Sequence, residues 1–189
     1  MHFSGQIKNL QNLDITQLKE KVLSLPEEIW EQDKRRQEKF EVHYQTQSIL
    51  LYFCECEHWP KLSVTQEPDW ESFKTIVNPI MDSVIEQHYQ PGGKVIRAVF
   101  AKLLAGSVIK PHTDAHPSFK LGHRIHIPIT TNDRVRFTID GKPHHLSVGK
   151  VYEINNQLPH SVMNKGKQDR ITFIFDYVPP DKLNEIDFV

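Results

Sequence analysis

Apolar and polar residues change their period along this chain, and the change falls near Pro91-Gly92-Gly93. Before it the spacing is mostly helical. Residues 1–12 read as a weakly structured lead or a short strand. Ile15, Leu18, Val22 and Leu25 then recur at helical steps, with Asp14 placed to cap the first turn. Pro26 restarts the chain, and Glu27 and Glu28 suit the first turn of a second helix carrying Ile29 and Trp30. The charged run over residues 31–39 reads as a solvated face. Alternation over residues 40–53 predicts a strand that becomes buried on both faces. Trp59-Pro60 and Glu67-Pro68-Asp69 are loop signals. Asp69 precedes a helix whose wide apolar stripe (Trp70, Phe73, Ile76, Val77, Ile80, Met81, Val84, Ile85) suits packing on a sheet. Pro79 should kink or split that helix.

After Gly93 the period is two. Residues 94–104, 108–111, 124–129, 135–139, 144–148, 150–154 and 170–178 read as strands, and another starts at Val162. Asp140-Gly141 is a strong hairpin signal. About seven or eight short strands, spaced by clear turns, predict a sandwich or barrel. The fold class is therefore mainly β with flanking helices, an α+β chain built on a jelly roll. Residues 1–189 are expected to form one domain. Residues 1–90 would buttress a sheet and shape a substrate site, and residues 91–180 would form the jelly-roll core.

Composition narrows the function. The chain has 189 residues, with 23 basic and 24 acidic side chains and a net charge of -1. Such a balance gives no electrostatic support to a nucleic-acid role. Cys54 and Cys56 lack both disulfide-framework and zinc-finger spacing. No apolar run approaches the ~20 residues needed to span a bilayer, and the N-terminus lacks a signal peptide's apolar core. A cytoplasmic protein without a membrane partner is expected. His144-His145, beside the hairpin, are expected to be exposed.

One stretch carries chemistry: Lys110-Pro111-His112-Thr113-Asp114. In a strand, residues i and i+2 point to the same face, so His112 and Asp114 can aim at one point. His160, in Leu158-Pro159-His160, supplies a second imidazole from a distant strand. Two histidines and one carboxylate form the facial triad of non-heme Fe(II) oxygenases. Three positions stay open, enough for a bidentate organic acid and O2. Arg170, on the final long strand, offers a planar guanidinium for the far carboxylate of such an acid. Arg124 and His126 share one strand face. They could bind a cosubstrate carboxylate or a substrate carboxylate, or order the surroundings of the iron.

The order His112-x-Asp114, Arg124-x-His126-x-Pro128, His160, Arg170 resembles the aspartyl/asparaginyl β-hydroxylase family over roughly residues 94–178. The resemblance implies a double-stranded β-helix and a dioxygenase dependent on Fe(II) and 2-oxoglutarate. By it, His112 and His160 match the iron-binding histidines, and Arg170 matches the arginine that binds the cosubstrate carboxylate distant from the iron. Arg124 and His126 match the segment lining the cosubstrate and substrate pocket. Bacterial free-proline hydroxylases are similar in the same places and carry the full triad. The animal aspartyl hydroxylase has glycine where this chain has Asp114. That carboxylate also argues against halogenation. A serine that helps bind the cosubstrate in the animal enzyme aligns with Ala101, so that contact is missing or replaced.

The expected function is thus hydroxylation of an amino acid, free or within a peptide or protein, with release of succinate and CO2. The catalytic and metal-binding set is His112, Asp114 and His160; the cofactor-binding set is Arg170, Arg124 and His126. Fe(II), 2-oxoglutarate and O2 are the expected cofactors. Arg36 and His43 could contribute to the pocket, but a solvated role is expected ahead of that for each. The alternative is a cupin-like metal- or ligand-binding module without oxygenase activity, in which His116 or His126 would add to the metal's ligands.

Overall fold

The computed structural model describes residues 3–39, 44–55 and 58–189. Residues 40–43, which open the expected second strand and include His43, lie outside the described residues, as does Cys56. The amino-terminal part begins with β1 (Ile7–Asn12), α1 (Thr16–Leu23), α2 (Glu27–Glu31) and α3 (Arg35–Lys39). Asp14 acts at the start of α1, accepting from the Thr16 amide at 2.9 Å. The helix expected after Pro26 is two short helices, with α3 taken from the charged run. Then come β2 (Thr46–Glu55), β3 (Lys61–Gln66) and α4 (Trp70–His88). β3 was hidden between two loop signals and shows only Leu62 and Val64 as its apolar alternation. Pro79 does not split α4. It lies on the exposed side, where a carbonyl left without its amide partner faces water.

The rest is mostly strand, with the one-turn helix α5 (Ser118–Leu121) between the second and third of these strands and a 3-10 helix (Pro180–Glu185) after the last of them. In chain order the strands are β4 (Lys94–Leu103), β5 (Val108–His112), β6 (His123–Pro128), β7 (Val135–Ile139), β8 (Lys142–His144), β9 (Lys150–Ile154), β10 (His160–Asn164) and β11 (Arg170–Val178). The hairpin β7–β8 turns on Asp140 and Gly141, both at positive φ (48° and 74°), as a two-residue turn of this kind requires. Its return strand is Lys142–His144, earlier than the residues 144–148 expected. His145 is exposed, whereas His144 is half-buried with Nε2 3.1 Å from Gln6 Oε1.

The chain alternates between two sheets. The large one runs β1-β9-β6-β11-β4-β2-β3-β12, where β12 is Asp187–Phe188; the small one runs β5-β10-β7-β8. The central four strands of the large sheet and the four of the small one are antiparallel throughout. This is the double-stranded β-helix order, with no closed barrel. Both faces of the large sheet are covered, so β11 is buried at every residue. Its outer face packs Ile125, Ile127, Phe100, Phe173 and Phe175 against Leu18, Phe73, Val77 and Val84 of α1 and α4. Each fully buried side chain of this size contributes about 1.5–3 kcal/mol. A second core, with Leu103, Ile109, Phe137, Ile139, Tyr152 and Val162, fills the space between the sheets.

The small sheet consists of β5, β10, β7 and β8, and no described residue of β2 belongs to the core between the sheets. α2 lies on the outer side, where Trp30 is buried and Lys102 sits over its ring at 4.5 Å while bonding Glu27 at 2.8 Å. The chain then crosses to the inner side. There Gln37 of α3 donates to Thr46 O at 2.9 Å, and the Arg35 guanidinium covers the Phe53 ring at 4.6 Å. A cleft of about 700 Å³ separates this crossing segment from Ser48 and Leu50 of β2; none of His112, Asp114 and His160 lines it.

Candidate metal centre

His112 ends β5 and His160 begins β10, and the antiparallel register sets them directly opposite each other. Their rings lie 4.3 Å apart. Each Nδ1 is tied to a backbone carbonyl two residues back: His112 to Lys110 O at 2.8 Å, His160 to Leu158 O at 3.0 Å. A carbonyl only accepts, so in the neutral rings Nδ1 carries the proton and Nε2 presents its lone pair. Asp114 lies just past β5, in the loop rather than on the strand as the spacing had suggested. Its amide donates to Asn156 O at 3.1 Å, and its carbonyl accepts from Gln157 Nε2 at 3.2 Å. The loop after β9 therefore places it. Asp114 Oδ1 stands 3.9 Å from each Nε2. The ligand atoms of the three residues lie within 4.8 Å of one another, and no other such His/Cys/Asp/Glu group occurs among the described residues.

Electrostatics suit a cation there. Burial pushes the Asp114 carboxyl up, but Arg124, His160, His112 and Arg36 together outweigh it and hold the group below the usual carboxylate range. Burial pushes the His160 imidazole down, against the pull of Asp114. Two imidazoles, each presenting Nε2 to one point, and an ionised carboxylate fit ferrous iron by donor type.

A second polar group lies on the inner face of the large sheet. Arg170 is 3 % exposed, its Nη2 has no hydrogen-bond partner among the described residues, and burial alone pushes it down to about 10. Its guanidinium lies over the Phe137 ring at 5.7 Å. Thr172, next on the same face, is fully buried with Oγ1 also unpartnered, and it is registered opposite Ala101. Neither ring nitrogen of His126 is hydrogen-bonded among the described residues. Burial first, then Arg124, Arg170, His160 and Arg36, hold it well below its ordinary value, so it is a neutral ring. Buried polar groups are normally paired, and orphans of this kind mark a place for a ligand. The donors, one guanidinium and one hydroxyl, fit an acid carboxylate.

Other residues named from the sequence stand differently. Arg124 is engaged, with Nη1 3.2 Å from Asp114 Oδ2 and 3.4 Å from Asp176 Oδ2. His116 is outside the triad: its Nδ1 lies 2.7 Å from Ser118 Oγ, and its ring meets Trp59 edge-on at 5.9 Å. Arg36, from α3, joins the cluster, where burial and then Arg124 push it down to about 10. Thr172, Asp176 and Arg97 had not been singled out. Only strand register, which a single sequence does not print, brings them to the site.

The sequence pattern of the aspartyl/asparaginyl beta-hydroxylases matches residues 15–180. The chain belongs to this family. Its enzyme class, a 2-oxoglutarate-dependent hydroxylase, is the one the motif order implied. Among solved structures, the hydroxylase is similar to an oxidoreductase of the 2OG-Fe(II) oxygenase family from Burkholderia pseudomallei. The TM-score is 0.56 at 16% identity, over 72% of this chain and 69% of that one. Shorter matches are a non-heme monooxygenase, ThoJ, as its nickel complex (TM-score 0.43, 18% identity, 53% of this chain and 50% of that one). Another is a predicted oxalate decarboxylase from Thermotoga maritima (TM-score 0.36, 20% identity, 45% of this chain and 68% of that one). No curated protein matches the sequence. Among the described residues, no helix is long and apolar enough to cross a membrane.

Proposed function

We propose that this hydroxylase uses Fe(II), 2-oxoglutarate and O2 to hydroxylate an amino acid, free or within a peptide or protein. The convergence of His112 Nε2, His160 Nε2 and Asp114 Oδ1 carries the reading, because both imidazoles are already turned by their Nδ1 bonds toward one point. These three would hold the iron. Arg170 would bind the far carboxylate of 2-oxoglutarate, with Thr172 supplying a hydroxyl from the strand beside Ala101. His126, held neutral on the same face, would donate to the same acid. Iron with 2-oxoglutarate and O2 supplies the oxidising power for C–H hydroxylation, with succinate and CO2 as coproducts. The protein's share is orientation and exclusion of water, and the apolar core between the sheets serves the second.

Substrate selection falls to the amino-terminal part. α3 and the crossing segment bound the inner face where the small sheet stops, and Arg36 brings a cation to the metal centre from there. A carboxylate of the amino-acid substrate is the group such a cation would meet.

Anaerobic binding tests the reading. Fe(II) and then 2-oxoglutarate added to metal-free protein should give a visible charge-transfer band. The band should vanish in His112→Ala, and Arg170→Ala should need far more 2-oxoglutarate to reach it. Iron bound without any band would favour a cupin-like binding module. With the band established, succinate release in the presence of free amino acids or short peptides separates the two substrate classes.

A further inference from the structure

Arg97, Asp176 and Arg124 form one row across the inner face of the large sheet. They lie on three adjacent strands, β4, β11 and β6, and Asp176 is registered directly opposite both arginines. Opposite charges facing each other across strands attract. Asp176 is 3 % exposed, and its Oδ2 lies 3.3 Å from Arg97 Nη1 and 3.4 Å from Arg124 Nη1. Arg97 is braced in turn. Its Nη2 donates to the buried Ser118 Oγ at 2.8 Å, and the Phe119 ring lies 4.2 Å from the Arg97 guanidinium and 4.8 Å from that of Arg124. The row ends at the metal centre, where Arg124 Nη1 is 3.2 Å from Asp114 Oδ2.

The two oxygens of Asp114 thus have different neighbours. Oδ1 faces the two imidazoles and Oδ2 faces a guanidinium. A carboxylate that turned both oxygens to the metal would fill a further position, one that a bidentate acid or O2 must use. Arg124 opposes that turn, but it is a cation with only 12 % of its side chain exposed, beside a cation site, and needs a counter-charge to stay there. Asp176 supplies the charge, and Arg97 with Phe119 fixes Asp176 and the guanidinium plane. We propose that Asp176 and Arg97 are positioning residues: through Arg124 they hold Oδ2 of Asp114 and keep that carboxylate a one-oxygen ligand. The proposal rests on the metal reading above.

Co(II) is the probe, because its visible bands report coordination number without turnover. Asp176→Asn should bind Co(II) about 10–100-fold more weakly than the parent protein, the usual effect of removing a partner that orients a metal ligand, with altered bands. Arg97→Gln should move both in the same direction by less, and Arg97→Lys should return toward the parent. In an Arg124→Gln background, Asp176→Asn should add nothing. Folding is checked by circular dichroism, and if Asp176→Asn does not fold, the two Arg97 variants carry the test. Folded variants with the parent's affinity and bands would overturn the proposal, as would full additivity in the Arg124→Gln background. A parent protein that binds no Co(II) would instead remove the metal reading itself.

Discussion

The two faces of the large sheet are made by alternate residues of the same strands, yet they are built on opposite terms. On the outer face Ile125, Ile127, Phe173 and Phe175 are fully buried against helices and satisfied by contact alone. On the inner face the residues between them are also withdrawn from water, but Arg170, Thr172 and His126 hold polar atoms with no partner among the described residues. Burying unpaired polar groups costs stability. The outer face supplies what the inner face gives up, and the period of two keeps the roles apart. Sites that break the rules of stable packing are where binding is expected.

The largest effect should come from damaging the outer face. Phe173→Ala leaves a hole against Phe100 and α4, and should destabilise the protein by about 3–5 kcal/mol. Chemical denaturation measures this, and the fraction still folded should bind Co(II) normally. The inner face should answer with the other sign. Arg170→Met removes a buried cation that no carboxylate among the described residues offsets, so metal-free protein should be at least as stable as the parent. Its 2-oxoglutarate affinity should drop by about 2–5 kcal/mol, as when one partner of a buried charge pair is cut away. Calorimetry on the Fe(II) form under argon gives that number. If Arg170→Met unfolds the protein as Phe173→Ala does, Arg170 belongs with the outer face and the contrast fails.

A smaller effect should appear on acidification. His126 is held well below its ordinary value of 6.5 by burial first and by nearby arginines and His160 next. The fold keeps it neutral, while the unfolded chain takes up a proton as pH falls through about 6.5. Stability is therefore full above that pH and is lost below it, by up to about 1.4 kcal/mol per pH unit for each such ring. His160 shifts the same way, and Asp114, shifted down from 3.8, adds a separate loss only in the acid range. In metal-free protein, His126→Phe should flatten the slope by about half a proton at pH 6.5, rising to about 0.9 at pH 5.5. An unchanged slope would mean that the ring is not held neutral.

Much of this arrangement was legible in the residues themselves. Ile125, Ile127 and Ile129 against Arg124, His126 and Pro128 told which side of β6 was core, because a strand buried on one side by apolar contact must put its other residues elsewhere. His112, Asp114 and His160 were legible as a candidate set, although His-x-Asp alone is common, and the structure brings their ligand atoms within 4.8 Å of one another. What stayed hidden depends on pairing between strands. Arg97 and Asp176 read as ordinary polar positions, and only the β4–β11–β6 register makes them a row with Arg124. Arg36 was legible as a charge but not as a neighbour of Asp114, Asp176 and Arg124, since no signal in the sequence shows that α3 comes to the inner side.

The finest test of the contrast concerns one hydroxyl. Ala101 stands where the related animal enzyme is expected to use serine, and Thr172 faces it across the β4–β11 pair with a buried, unpartnered Oγ1. If the hydroxyl has changed strands without leaving the pocket, Thr172→Val, close to it in shape, should weaken 2-oxoglutarate binding by about 0.5–1.5 kcal/mol, the net worth of one hydrogen bond. Unliganded stability should hold or rise, because an unsatisfied oxygen is replaced by a methyl group. Adding Ala101→Ser to Thr172→Val should recover part of the affinity, since the two side chains share one row of the sheet. Recovery would show that the pocket needs a hydroxyl at that depth rather than a threonine at that position. A Thr172→Val protein with undiminished affinity would leave Arg170 as the anchor and make the buried oxygen a packing feature of the inner face.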